Sequence, residues 1–165
     1  MPVLFKLVDL ESAQAQAALL RRQGRRLVLT NGCFDLLHPG HIVHLQQARD
    51  VGDALLVALN SDRSVREIKG PLRPVYDETQ RVLALSALQC VDYVLIFDEP
   101  EALGVIEQVR PDLYVKGGDY TLDSLNQAER ALLQRLGVEI RLLPQVENFS
   151  TTNVIHRVQY RPLEE

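Results

Sequence analysis

A doubly wound α/β domain on a five-stranded parallel sheet is the fold this sequence predicts. Its short aliphatic runs are nearly continuous in apolar residues, as strands covered on both faces should be. Helical patterns separate these runs, and the links between them are short, which favours parallel strands joined by right-handed crossovers. The strands are read at Arg26–Thr30, Ala54–Leu59, Asp92–Phe97, Asp112–Val115 and Glu139–Leu143. A first helix, Glu11–Gln23, stops at Gly24, and a second, His41–Val51, follows Pro39-Gly40 and ends at Gly52. Asp77 with Gln80 resembles a capping box opening Glu78–Gln89. Glu101–Val109 and Ser124–Leu136 complete the crossovers, and a last helix begins near Ser150. Val65–Tyr76, with two prolines, a glycine and three cations, reads as a mobile loop, and Val146–Ser150 as a polar link.

The chain has 165 residues with a net charge of −4, 46% hydrophobic and 24% charged. That suits one domain over residues 1–165, with roughly two-thirds of its unfolded surface buried. No basic excess marks a nucleic-acid binder, and no apolar run approaches the roughly 20 residues that span a bilayer. No leader pattern opens the sequence, so the expected compartment is the cytoplasm. Cys33 and Cys90 form no CxxC pair and no metal-type spacing, so they read as buried thiols.

In open α/β sheets, ligands sit beyond the carboxyl ends of the strands. The segment Thr30–His41, TNGCFDLLHPGH, falls there. A strand runs into a turn at Gly32, and Pro39 opens a helix whose N-terminus makes an anion site. His38 and His41, three residues apart, project from one side of that helix. Two imidazoles beside an anion site suit a phosphate on which charge develops. His44 adds a third at the same spacing, but no carboxylate shares the face, so no metal site is assigned. His44 reads instead as a solvent- or substrate-facing neighbour.

GCFDLLHPGH resembles the HxGH signature of the nucleotidylyltransferase superfamily, a Rossmann-like group that moves NMP from an NTP to a phosphorylated acceptor. TNGCFDLLHPGH, VALNSD, IKGPLRPV, QR followed by AL and VDYV, PDLYVKGGDY and FSTTNVI are similar to one subgroup, the D-glycero-β-D-manno-heptose 1-phosphate adenylyltransferases. These occur alone or fused to a sugar kinase. The resemblance runs from about Leu10 to Val158 and concerns the transferase half only.

That resemblance implies in-line attack by the acceptor phosphate on the α-phosphorus of ATP, with Mg²⁺ arriving on the nucleotide and no covalent enzyme intermediate. It implies that Gly32, Cys33 and Phe34 cradle the α-phosphate while His38 and His41 contact the phosphates. Lys69 would act on the phosphates from its loop, with Arg73 beside it. Asp35 would sit at the acceptor side or orient the turn, and Arg81 would hold acceptor or pin its helix by a salt bridge. Lys116, Gly117, Gly118 and Asp119 would meet the base or ribose, the glycines allowing close approach. Ser150, Thr151 and Thr152 would meet the β- and γ-phosphates. A homodimer is implied only by the habit of the superfamily.

Cytidylyltransferases of the superfamily read RTEGIST where this chain reads VENFSTT. The absent arginine favours ATP, with CTP and glycerol 3-phosphate as the alternative pair. A nucleotide-binding regulator without catalysis is a second alternative. A dinucleotide oxidoreductase is set aside, because no GxGxxG follows the first strand.

Overall fold

Residue alternation along the strands divides the interior into two layers. A computed structural model describes residues 6–117, 121, 123–144, 151, 152, 154 and 155. The strands are β1 (Leu27–Gly32), β2 (Ala54–Asn60), β3 (Tyr93–Phe97), β4 (Leu113–Gly117) and β5 (Glu139–Leu143). They lie in the order β3-β2-β1-β4-β5, and every pairing is parallel. The helices are α1 (Leu10–Arg22), α2 (Pro39–Asp50), α3 (Asp62–Lys69), α4 (Glu78–Ser86), α5 (Leu103–Val109) and α6 (Gln127–Leu136).

Leu27, Leu29, Leu56, Ala58 and Tyr114 face a core completed by α1, α5 and α6. Val28, Leu55, Val57, Leu59 and Val115 face the other, completed by α2 and α4. Each strand is thus buried on both sides, which is why its apolar run is continuous. The amino ends of the strands are closed off by carboxylates. Asp53, Asp112 and Asp92 accept from the backbone N–H groups of Arg26, Leu27 and Leu55.

At the carboxyl ends the ladder opens. β1 pairs with β2 at six positions, Leu27 to Gly32, but with β4 only at Val28 and Leu29. The chain order reverses at β1 and β4, so their separation forms the crevice where such sheets bind ligands.

Several elements differ from the sequence reading. β1 continues through Asn31 and Gly32, and α4 ends at Ser86. The expected loop Val65–Tyr76 begins inside a helix: Ser61 caps α3, accepting from the Ser64 N–H, and buried Val65 anchors it. Gly70, at φ 94, ends that helix. The Asp77–Gln80 capping box is present. Residues 151, 152, 154 and 155 are helical, in line with a last helix there, while the link residues Val146–Ser150 lie outside the described residues.

Candidate active site

The turn after β1 is held in a conformation it would not adopt alone. Phe34 and Leu36 have φ of 45° and 51°, a region costly for bulky side chains, by about 1–3 kcal/mol each. Between them, buried Asp35 supplies the restraint. Its carboxylate accepts from Arg73 Nε at 2.6 Å and from the Val75 and Tyr76 amides at 2.9 and 3.0 Å. Burial alone would raise this carboxyl, but the two amides and the guanidinium outweigh it and hold it below the usual range. Asp35 therefore ties the α3–α4 connection to the turn. These three contacts supply the orienting one of its two expected roles, and Asp35 also lines the cavity described below.

Arg81 performs the matching task from beneath. It is 1% exposed, and it donates to the carbonyls of Tyr76, Cys33 and Asn60 and to Asp62 Oδ1. Four of the five N–H groups of this guanidinium are thereby used, and Arg81 is absent from the cavity lining. Of its two expected roles, these contacts supply the pinning of α4 under the site. Because C=O and N–H of one peptide unit point opposite ways, its hold on the Cys33 carbonyl also turns the Phe34 N–H away from it.

A cavity of about 520 Å³ opens where β1 and β4 part. Gly32, Cys33, Phe34, His38 and His41 line it on the α2 side, with Lys69 and Arg73 beyond. His38 caps α2, and Pro39 at the first helical position has no N–H to satisfy. The His41 N–H turns back to the His38 carbonyl, which leaves the Gly40 N–H as the first-turn amide without a helical partner. The His38 and His41 rings stack, centroids 3.8 Å apart, and the Phe34 ring meets His41 edge-on at 5.4 Å.

Burial, then the neighbouring His38 and His44, pushes His41 down to about 4. Burial likewise lowers His38. At neutral pH both rings are uncharged and offer N–H donors rather than charge. Cys33 is half-buried and free, as is Cys90, and burial raises both thiols.

His44 lines the cavity and is also packed between the strands. Its Nε2 lies 3.2 Å from Thr30 Oγ1, which itself donates to the Val115 carbonyl. Its Nδ1 would lie only 2.3 Å from a Cβ built on Gly117. The ring is wedged between β1 and β4, and Gly117 is glycine because nothing larger fits beside it. Its backbone conformation is ordinary, and it also lines the cavity. Burial, then Lys116, pushes His44 down to about 4.

On the opposite side of the crevice, Lys116 lines the cavity while its ammonium lies 3.5 Å from buried Glu129 on α6. Burial lowers Lys116, with Glu129 opposing. Thr151 and Thr152 also line the cavity, but the Thr151 hydroxyl donates to the Asp35 carbonyl at 2.9 Å. It docks the last helical segment onto the turn, so its hydrogen is not available to a phosphate. The expected positions Gly118, Asp119 and Ser150 lie outside the described residues.

Two polar side chains of the lining were not anticipated. Asn31, at the end of β1, accepts from the Tyr114 hydroxyl at 2.7 Å, and Asn60 donates to Ser64 and to the Glu99 carbonyl. A polar residue closing an apolar strand was the available signal for both.

The sequence model described as cytidylyltransferase-like matches residues 29–157. A protein named bifunctional protein HldE, from Syntrophotalea carbinolica, is 47% identical over 148 residues, covering 90% of this chain and 30% of its own length. A protein of the same name from Geobacter sulfurreducens is 45% identical over 153 residues, with 93% and 31% covered. This chain thus spans about a third of the length of those relatives. A solved structure, the lipopolysaccharide core biosynthesis protein from Thermoplasma volcanium, superposes with a TM-score of 0.62 at 28% identity, covering 76% of this chain and all of that one.

Proposed function

Because the chain belongs to the cytidylyltransferase-like family, we propose that it transfers AMP from ATP to a sugar 1-phosphate, releasing pyrophosphate. D-glycero-β-D-manno-heptose 1-phosphate is the acceptor that the similarity to HldE favours. The likeness to a protein named for lipopolysaccharide core biosynthesis is in line with a sugar acceptor. The observation that carries the reading is the stacked His38–His41 pair beside the free first-turn amide of α2.

That arrangement supports phosphate binding by hydrogen bonds and the helix dipole. With the acceptor phosphate entering from the Lys69 and Arg73 side, one of its oxygens attacks the α-phosphorus and pyrophosphate departs opposite. Negative charge grows on the equatorial oxygens, where neutral His38 and His41 donate. The anion in turn raises their affinity for protons, so each ring holds its donor proton more firmly as charge develops. Lys69, exposed at the end of α3, lies in the lining and supplies a full positive charge. No group of this chain is asked to form a covalent bond.

The family also implies Mg²⁺. Among the described residues no three His, Cys, Asp or Glu side chains are grouped to hold a metal ion. The carboxylate in the described lining, Asp35, is bound to Arg73 and two amides. These donors suit a cation that enters on the triphosphate, where it would offset phosphate charge. No described helix is long and apolar enough to cross a membrane.

Pyrophosphate release with Mg²⁺ tests the reading, pairing ATP or CTP with heptose 1-phosphate, hexose 1-phosphates and glycerol 3-phosphate. Release with ATP and a sugar 1-phosphate is the expected result. Release confined to CTP and glycerol 3-phosphate would overturn it, and so would silence with every pair.

A further inference from the structure

The two walls of the crevice differ in charge, and that difference assigns a role to a residue outside the phosphate-binding turn. On the α2 wall stand the helix N-terminus, the histidine pair and Lys69, a surplus of donors and positive charge suited to phosphates. On the β4 wall the cation, Lys116, faces a buried carboxylate, Glu129. Among the described residues that wall is close to electrically neutral, which suits the uncharged part of a nucleotide.

Asn31 stands at the boundary, at the carboxyl end of β1 where the ladder to β4 has opened. Its side chain shares the face of Leu29 and Tyr114. The Tyr114 hydroxyl, on a fully buried ring, donates to Asn31 Oδ1 at 2.7 Å. That contact fixes the amide plane across the crevice. The Nδ2 edge of Asn31 is then the half with no acceptor among the described residues, and the residue lines the cavity.

We propose that Asn31, oriented by Tyr114, donates a hydrogen bond to the nucleoside portion of the bound nucleotide, to a ribose oxygen or an acceptor atom of the base. This rests on the nucleotidyl-transfer reading above. Asn31 is the binding residue, and Tyr114 is a positioning residue that acts through it.

The test compares two ligands that share phosphates but not a nucleoside, ATP and inorganic tripolyphosphate, by calorimetry on the full chain. Asn31→Ala should weaken ATP roughly tenfold, the size of one lost directional hydrogen bond, while tripolyphosphate changes less than twofold. Tyr114→Phe should weaken ATP by about threefold, because the amide is still present but no longer held. In the double variant the loss should match that of Asn31→Ala alone, as for a residue that works through another. Circular dichroism and thermal midpoints near those of the unaltered chain keep misfolding out of the comparison. Equal losses for ATP and tripolyphosphate would overturn the assignment, as would unchanged ATP affinity in Asn31→Ala. Additive losses in the double variant would overturn the positioning role of Tyr114. Failure of the unaltered chain to bind either ligand would instead contradict the nucleotidyl-transfer reading itself.

Discussion

The α2 wall and the β4 wall of the crevice are built by different means. On the α2 wall the polar groups, Lys69 apart, come from one continuous stretch, Gly32 to His41, and backbone restraints fix their positions: positive φ at Phe34 and Leu36, and a helix start at Pro39. On the β4 wall they come from distant places in the chain. Asn31 meets Tyr114, Lys116 meets Glu129, and Thr30 reaches both His44 and the Val115 carbonyl. A contiguous turn can be recognised from its residues, whereas a wall assembled by tertiary contacts becomes visible only when the strands are in register.

The largest effects should fall on the α2 wall. His38→Ala or His41→Ala is expected to lower kcat by roughly 100- to 1000-fold, the usual result of removing a donor to a charge that develops in the transition state. Thermal midpoints should stay close to that of the unaltered chain. Near-normal turnover would remove the histidines from the chemistry and erase the distinction between the walls. Lys69→Ala should cost less, on the order of tens of fold in kcat/KM, since one exposed ammonium among several donors is lost. An unchanged rate would make it a bystander.

Substitution on the β4 wall should act through packing. Gly117→Ala places a methyl against the His44 ring and should destabilise the fold by about 1–3 kcal/mol in denaturant titration. His44→Ala in the same chain should relieve part of that loss. A Gly117→Ala variant as stable as the unaltered chain would show that the ring moves aside and that the wedge is loose.

How far each wall could be read from the sequence follows the same division. The parallel doubly wound sheet and the HxGH turn were legible because both depend on local periodicity and contiguous residues. Helix α3 was not, because Gly70, Pro71 and Pro74 follow it at once and made the stretch look like loop throughout. Asp35 and Arg81 stood out as charged residues near the site. Their partners, two amides in one case and three carbonyls in the other, are backbone groups that no side-chain pattern announces. Glu129 reads as an ordinary surface acid on α6 until Lys116 is found opposite it.

A smaller, pH-dependent effect separates the histidines from the rest of the chain. His41 and His44 are held down to about 4, against 6.5 for the ordinary group. Between those values the unfolded chain binds more protons than the folded one. Stability should therefore be complete above pH 6.5, fall as the pH drops toward 4, and level off in this contribution below that. Denaturant midpoints across pH 4 to 7 check it, and His44→Gln should flatten the slope. A slope unchanged in that variant would mean His44 is not held neutral by its burial.

The central claim is attack at the α-phosphorus, and the fate of labelled phosphate tests it most directly. With ATP labelled at the γ-phosphorus, Mg²⁺ and heptose 1-phosphate, all label should leave as pyrophosphate, in amounts equal to the nucleotide-sugar formed. Label recovered on the sugar, with free ADP beside it, would mean transfer of the terminal phosphate and would contradict the account.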